Sequence, residues 1–222
     1  MSVERMSDFF TARLNGYDEH MMNDVEGCRQ GYIRMAGLIP GNVAQLLDLG
    51  CGTGLELDEI FRIKPKITVT GIDLTQAMLD KLKQKHPDKD LTLIKASYFD
   101  CEFGIEKYDA AISFQTMYHF SHADKIKLYS KVYYALKPSG KYIEGDYMII
   151  EQKEEDFYFS ENERIRKEKN IPDSEFCHYD TPCTVGNQIV LLRKAGFQNV
   201  EMVWRMGNTT IIIAEKQPNL QP

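Results

Sequence analysis

Short apolar runs alternate with amphipathic stretches along most of the chain. Gln45–Leu49, Ile67–Asp73, Leu91–Ile94, Asp109–Phe114 and Lys141–Tyr147 are rich in Ile, Val, Leu and Tyr and are bounded by turn residues or acids. Runs of that length and content predict buried strands. Between them the spacing turns helical. Leu55–Phe61 follows a glycine turn, and Thr75–His86 carries Ala77, Met78, Leu79 and Leu82 before Pro87 closes it. Ser121 can cap a helix over His122–Leu136, with Asp124 as the acidic half of a capping box and Ile126, Leu128, Tyr129, Val132 and Tyr133 on the buried face. Strands alternating with helices imply right-handed crossovers and a parallel sheet. The end breaks the pattern, because Asn199–Trp204 and Thr209–Ala214 are joined only by Arg205–Asn208. So short a joint allows a hairpin but no parallel crossover. The expectation is an α/β fold with a seven-stranded, mostly parallel sheet, one antiparallel strand near an edge, and helices on both faces.

Two segments stand outside this scheme within what reads as one domain over residues 1–222. Residues 1–40 read as an N-terminal helical cap. Residues 148–180 form an insertion after the fifth strand, highly charged but studded with Phe157, Tyr158, Phe159, Phe176 and Tyr179. It is either a solvated helix anchored by an aromatic stripe or a lid whose aromatics line a pocket. Ligands of open α/β sheets sit beyond the carboxyl ends of the strands, and the insertion leaves from that end, which leans the reading towards a lid.

The strongest chemical signal is Leu46-Leu47-Asp48-Leu49-Gly50-Cys51-Gly52-Thr53-Gly54. A strand runs into three glycines at alternate positions and then a helix. Gly50 and Gly52 let backbone approach a ligand where a Cβ would collide, and Gly54 is expected to let the helix pack closely on the strand. The next strand ends in Asp73, where a carboxylate can accept from both hydroxyls of a ribose. A dinucleotide fingerprint would need glycine at position 55, which is Leu55, and no G-x-x-x-x-G-K-[ST] phosphate loop is present. Asp48 just before the loop suits a cationic ligand better than a pyrophosphate.

LLDLGCGTG followed by GID, then YDAAI at Tyr108–Ile112 and LKPSG at Leu136–Gly140, resembles the class I S-adenosylmethionine-dependent methyltransferases. The resemblance covers residues ~40–150 well and the last two strands by pattern. It implies a Rossmann-like fold, S-adenosyl-L-methionine as cofactor, S-adenosyl-L-homocysteine as product, and methyl transfer to an acceptor by in-line displacement. It also assigns the cofactor to Asp48, Gly50, Cys51, Gly52, Asp73, Leu74, Met78, Ser97, Tyr98, Gln115 and Thr116. Asp48 would sit near the ammonium, Asp73 would hold the ribose, Leu74 and Met78 would pack on the adenine, and Gln115 and Thr116 would meet the methionine end. Ser97 stands where the family usually has an acid, so a hydroxyl or backbone bond would replace that contact.

The sulfonium is already an electrophile, so the protein must chiefly align an acceptor and exclude water. A base is needed only if the acceptor loses a proton. His119, at the end of the fourth strand, is the candidate base, although a histidine there more often packs under the cofactor or shapes the pocket. Tyr118, Glu144, Asp146 and Tyr147 are expected to face the substrate, the two acids either binding an amine or marking where the strand meets solvent. Cys177, His178 and Cys183 lack zinc-site spacing, so no metal is expected.

Composition narrows the partners. Lys and Arg total 27 against 33 Asp and Glu, for a net charge of −6, without the cationic field that phosphate backbones reward. After the fourth strand stands Ser113-Phe114-Gln115-Thr116, not the Asn/Asp-Pro-Pro-aromatic motif of enzymes that methylate amino groups of bases or glutamine. Pro182-Cys183 falls after the wrong strand for a cytosine-C5 nucleophile. A small-molecule acceptor is favoured, with nucleic acid and membrane disfavoured. Five irregularly spaced cysteines and a charged N-terminus suit a reduced, cytoplasmic protein. Two other readings stay open: a carboxy-S-adenosylmethionine synthase or tRNA-modifying enzyme, for which Arg34 or Arg205 would pair with an extra carboxylate, and a non-catalytic S-adenosylmethionine-binding regulator.

Overall fold

The structure is a computed structural model that describes residues 4–172 and 175–218. Residues 1–3 of the expected cap and 173–174 of the expected insertion lie outside the described residues. Seven strands are present: β1 (Gln45–Leu49), β2 (Thr68–Asp73), β3 (Leu91–Lys95), β4 (Tyr108–Phe114), β5 (Leu136–Tyr147), β6 (Asn199–Met206) and β7 (Thr209–Glu215). They form one sheet in the order β3-β2-β1-β4-β5-β7-β6. The first five pair in parallel, and β7 runs antiparallel to both β5 and β6. The short joint between the last two strands therefore makes the hairpin that its length requires.

Among the described residues, eight α-helices surround the sheet: α1 (Met6–Arg13), α2 (Tyr17–Asn23), α3 (Cys28–Leu38), α4 (Leu55–Ile63), α5 (Gln76–Lys85), α6 (His122–Ala135), α7 (Gln152–Lys169) and α8 (Val185–Lys194). Both sheet faces are covered, which is why the central strands read as nearly unbroken apolar runs. Side chains of a strand alternate between faces. Leu46, Ile112 and Ile143 thus pack with Tyr32, Met35, Leu57 and Ile60, whereas Leu47, Ala111 and Tyr142 pack with Leu128, Tyr129, Val132 and Leu192. Ser121 caps α6 as expected, its Oγ accepting from Asp124 N at 3.2 Å.

One boundary differs from expectation. Leu136–Gly140 is not a turn before β5 but its first residues, directly following α6. The pairing with β4 shifts register between Tyr108 and Ala110, and Ser139 has φ 64°. A bulge absorbs the Pro138 that would otherwise disfavour a strand.

The chain steps from β1 outward to β2 and β3, then crosses back to place β4 on the other side of β1. That reversal opens a crevice at the carboxyl ends of β1 and β4. Over it lie α1, α2 and residues 175–180. Arg5 and Cys177 form an antiparallel bridge, Met6 N donates to Phe176 O at 3.0 Å, and His178 N donates to Glu4 O at 2.9 Å. The aromatic residues of the insertion do not line the crevice as a lid reading anticipates. Phe176 stacks on Phe99, Phe159 packs beside His122, and Phe157 is exposed. These contacts anchor the segment, and it is His178 and Asp180 that reach the cavity wall.

Candidate active site

The glycine loop folds back on the neighbouring strand ends. Gly50 N and Cys51 N donate to Ile72 O at 2.8 and 3.3 Å. At Gly50 φ is +77°, and an added Cβ would run into Thr116 Oγ1 and the Tyr98 hydroxyl. Only glycine permits that approach. The position of a Cβ on Gly52 is open, with nothing nearer than 3.8 Å, so this side of the loop is free to receive a ligand. Gly54 differs from expectation: its Cβ would strike Leu82, so it permits close packing on α5 rather than of α4 on β1.

Asp73 ties the loop to the next helix. Its Oδ2 accepts from Gly52 N at 3.0 Å and its Oδ1 from Thr75 N at 2.8 Å. Burial pushes its carboxyl up to about 6, against the pull of those two N–H groups. Each oxygen keeps a lone pair for a further donor.

Asp48 is fully buried, and neither of its oxygens has a hydrogen-bond partner; Glu56 Oε1 is equally unpartnered. Burial, then the charge of Glu56, raises the Asp48 carboxyl well above its ordinary value, and burial raises Glu56 up to about 7. Two orphaned acids side by side call for a cation or a shared proton, and the ammonium of an amino-acid ligand fits that need. Glu56 carries no motif. Its place in the first turn of the helix after the loop was the one available signal.

A narrow cleft of about 40 Å³ is lined by Gly50, Gly52, Asp73, Leu74, Met78, Tyr98, Gln115 and Thr116. These are most of the residues assigned to the cofactor from the sequence. Asp48, Cys51 and Ser97 do not join them. The Cys51 sulfur points into the core against Gly71, so only its backbone is available. Ser97 Oγ accepts from Phe99 N at 3.3 Å in a local turn. Small-molecule pockets usually span ~300–1,000 Å³, so this cleft is closed. Met6, Phe10 and Tyr17 of the N-terminal segment fill its mouth. Sequence reasoning missed them because residues 1–20 have no periodicity that marks a contact face.

A second cavity, of about 720 Å³, opens on the other side of Phe10, Tyr17 and Gln115, which line both. Tyr118, Tyr147, Arg13, His178 and Asp180 contribute to its wall. Tyr118 and Tyr147 are where the sequence placed them, but Glu144 and Asp146 are not. They alternate with Tyr147 along β5 and are buried beneath the sheet face. Glu144 Oε1 accepts from the Tyr129 hydroxyl at 3.2 Å and from Gln188, while Lys125 lies beside it. Glu144 Oε2 and Asp146 Oδ1 are buried without a partner, and neither acid lines the cavity. His119 does not reach either cavity wall. Its side chain is 2% exposed. Burial, then the neighbouring His178, pushes its imidazole down to about 3, leaving it a weak base.

Comparison with known proteins agrees with this architecture. Residues 46–140 match the methyltransferase domain family. Over that stretch the chain is similar to the class I S-adenosylmethionine-dependent methyltransferases. Across 185 residues it is 26% identical to the carboxy-S-adenosyl-L-methionine synthase of Nautilia profundicola, covering 78% of this chain and 77% of that one. Among solved structures it resembles phosphoethanolamine N-methyltransferase 2 of Haemonchus contortus, solved with S-adenosyl-L-methionine, at a TM-score of 0.70 and 17% identity over 95% of this chain. An O-methyltransferase family protein from Burkholderia thailandensis gives a TM-score of 0.70 at 14% identity over 97% of this chain. The chain spans 60% and 64% of those two structures, and among its described residues no helix is long and apolar enough to cross a membrane.

Proposed function

We propose that the chain transfers a methyl group from S-adenosyl-L-methionine to a small molecule held in the larger cavity. The observation that carries this reading is the shared wall. The glycine-loop cleft and the larger cavity meet at Phe10, Tyr17 and Gln115. A donor along the cleft presents its sulfonium at that wall, and an acceptor in the cavity approaches from the opposite side, as in-line displacement requires. Asp73 holds the ribose, and Asp48 with Glu56 faces the ammonium. The closed cleft means that α1 and α2 swing aside for the donor and return over it, with residues 175–180 as the other half of the lid. Once closed, Phe10 and Tyr17 exclude water. Calorimetry with S-adenosyl-L-homocysteine, followed by a methyl-label transfer assay on a metabolite extract, tests the reading. No saturable binding of either nucleoside would overturn it.

The synthase relatives favour a second reading, in which the bound cofactor itself gains a carboxylate. Its expected signature, an arginine beside the sulfur, is not supplied by the two candidates from the sequence. Arg34 is exposed on α3, and Arg205 is engaged with Thr210 Oγ1 and Asn208 Oδ1 at 2.9 Å each. Arg13 is the arginine in the larger cavity's wall, already paired with Glu4 at 3.3 Å. Methyl transfer is therefore the preferred reading. A nucleoside product heavier by one carboxyl group would reverse that preference.

A further inference from the structure

His119, His178 and Asp180 meet at a point that the donor cleft does not use. His119 ends the 3-10 turn Met117–His119 after β4, and the other two lie on the segment after α7. One ligand-type atom from each falls within 4.8 Å of the others. Asp180 Oδ1 is 3.8 Å from His119 Nδ1 and 3.9 Å from His178 Nε2. These separations exceed hydrogen-bond range. Two donors at ~2.1 Å from one ion and at tetrahedral angles would stand roughly 3.4 Å apart, so the carboxylate is within about half an ångström of sharing a centre with each imidazole, and the two imidazoles, within 4.8 Å of each other, would draw together around it.

Two observations say that the cluster lacks something. Asp180 Oδ1 is buried and unpartnered. The His119 nitrogen that faces it, Nδ1, belongs to an almost wholly buried ring and has for a contact the Tyr179 carbonyl at 3.5 Å. Meanwhile the backbone that carries the cluster is firmly held. Thr181 N and Oγ1 both donate to Tyr118 O, at 2.8 and 2.9 Å, and Phe9 stacks on His178 at 3.4 Å. Ligands fixed in this way by their surroundings, with their own polar atoms left over, are what a metal site requires.

We propose that His119, His178 and Asp180 bind one divalent first-row transition-metal ion, with its open coordination positions turned into the larger cavity. Two imidazoles and one carboxylate suit the borderline class that includes Zn²⁺, Fe²⁺ and Co²⁺. Three protein ligands beside a cavity are the pattern of a catalytic rather than a structural ion. The other candidate cluster, His122, Glu155 and Cys183, is disfavoured because the Lys125 ammonium already sits 3.1 Å from the Cys183 sulfur. In the proposed reaction the ion holds an acceptor hydroxyl, whose proton passes to solvent. The oxygen then forms the new O–C bond as the donor's C–S bond breaks and its electron pair returns to sulfur. The role of the ion rests on the methyl-transfer reading, but its binding does not.

The test strips the full chain with EDTA, titrates it with Co²⁺ under visible absorption, and measures S-adenosyl-L-homocysteine affinity on the same samples. One saturable equivalent of Co²⁺ is expected. His178→Ala and Asp180→Asn should each weaken it more than tenfold, since loss even of outer partners costs 10–100-fold, while circular dichroism and nucleoside affinity hold. These two residues carry the test because His119→Ala removes a buried ring. Cys183→Ser should leave the cobalt spectrum unchanged; its loss there would move the ion to the other cluster and overturn the proposal. So would a chain that binds the nucleoside but takes up no Co²⁺. A chain that binds Co²⁺ with these dependences but no nucleoside would sustain the metal site and overturn the methyl-transfer reading instead.

Discussion

The donor cleft and the cap above it are built on opposite principles. The cleft is rigid. Its glycine loop, Asp73 and Gln115 hang from the carboxyl ends of β1, β2 and β4, three of the most deeply buried strands of the sheet. The cap consists of short helices held by ion pairs, single backbone bonds and a few packed side chains such as Phe9 on His178. Asp18 meets Lys81 at 3.0 Å, Arg5 meets Glu175 at 2.9 Å, and one bridge joins Arg5 to Cys177. Exposed pairs of that kind contribute little individually. The difference teaches that donor recognition can be pre-formed while admission is governed by elements that open cheaply.

The sharpest way to break this contrast is to disable the rigid half. Asp73→Ala removes an acceptor proposed to take two charge-assisted hydrogen bonds, each about 1.5–3 kcal/mol. S-adenosyl-L-homocysteine affinity should then fall on the order of a hundredfold or more by calorimetry. Unchanged affinity would dissolve the proposed map. Leu47→Ala, in the fully buried core under the loop, should cost about 2–5 kcal/mol in denaturant unfolding. A loss below 1 kcal/mol would mean that the sheet is less rigid than the contrast requires.

The cap should answer differently. Phe10→Ala, which clears the mouth of the narrow cleft, should speed nucleoside association severalfold in stopped-flow mixing with little change in unfolding free energy. Slower association would mean that Phe10 guides the donor instead of blocking it.

Acid adds a finer test. Burial raises Asp73 to about 6 in the free protein, and a ribose held by the carboxylate needs it ionised. Nucleoside affinity should therefore weaken as pH falls through 6, approaching a tenfold loss per unit, and Asp73→Asn should flatten the profile. A flat profile in the parent chain would remove Asp73 from the ribose site.

The smallest effect is expected where α7 joins the body. His122 Nε2 lies 2.9 Å from Glu155 Oε1. Hydrogen bonding to Cys183 and to Glu155 raises His122 to about 9; burial pulls against it, but bonds to His122 and Thr184 still lower Glu155 to about 2. The raised histidine stabilises the fold below its unfolded value near 6.5, and that contribution is lost as pH rises through 9. The lowered glutamate contributes above its unfolded value near 4.5, and that is lost as pH falls through 2. Thermal stability should thus decline modestly from pH 6.5 to 9, and His122→Ala should abolish that slope.

The sequence by itself determined the sheet, its reversed strand and the glycine loop after β1. Those features are local: strand periodicity, a four-residue joint, and glycines and acids whose spacing admits few conformations. Tyr118 and Tyr147, expected near the crevice, line the larger cavity, because strand ends point towards it. The sequence could not separate Tyr147 from Glu144 and Asp146, since a single register step decides which face of β5 each side chain takes. Nor could it pair residue 5 with residue 177, bring Phe10 over Gly50, or join His119 to Asp180. Only the tertiary structure decided these, because such contacts join segments whose own patterns carry no record of each other.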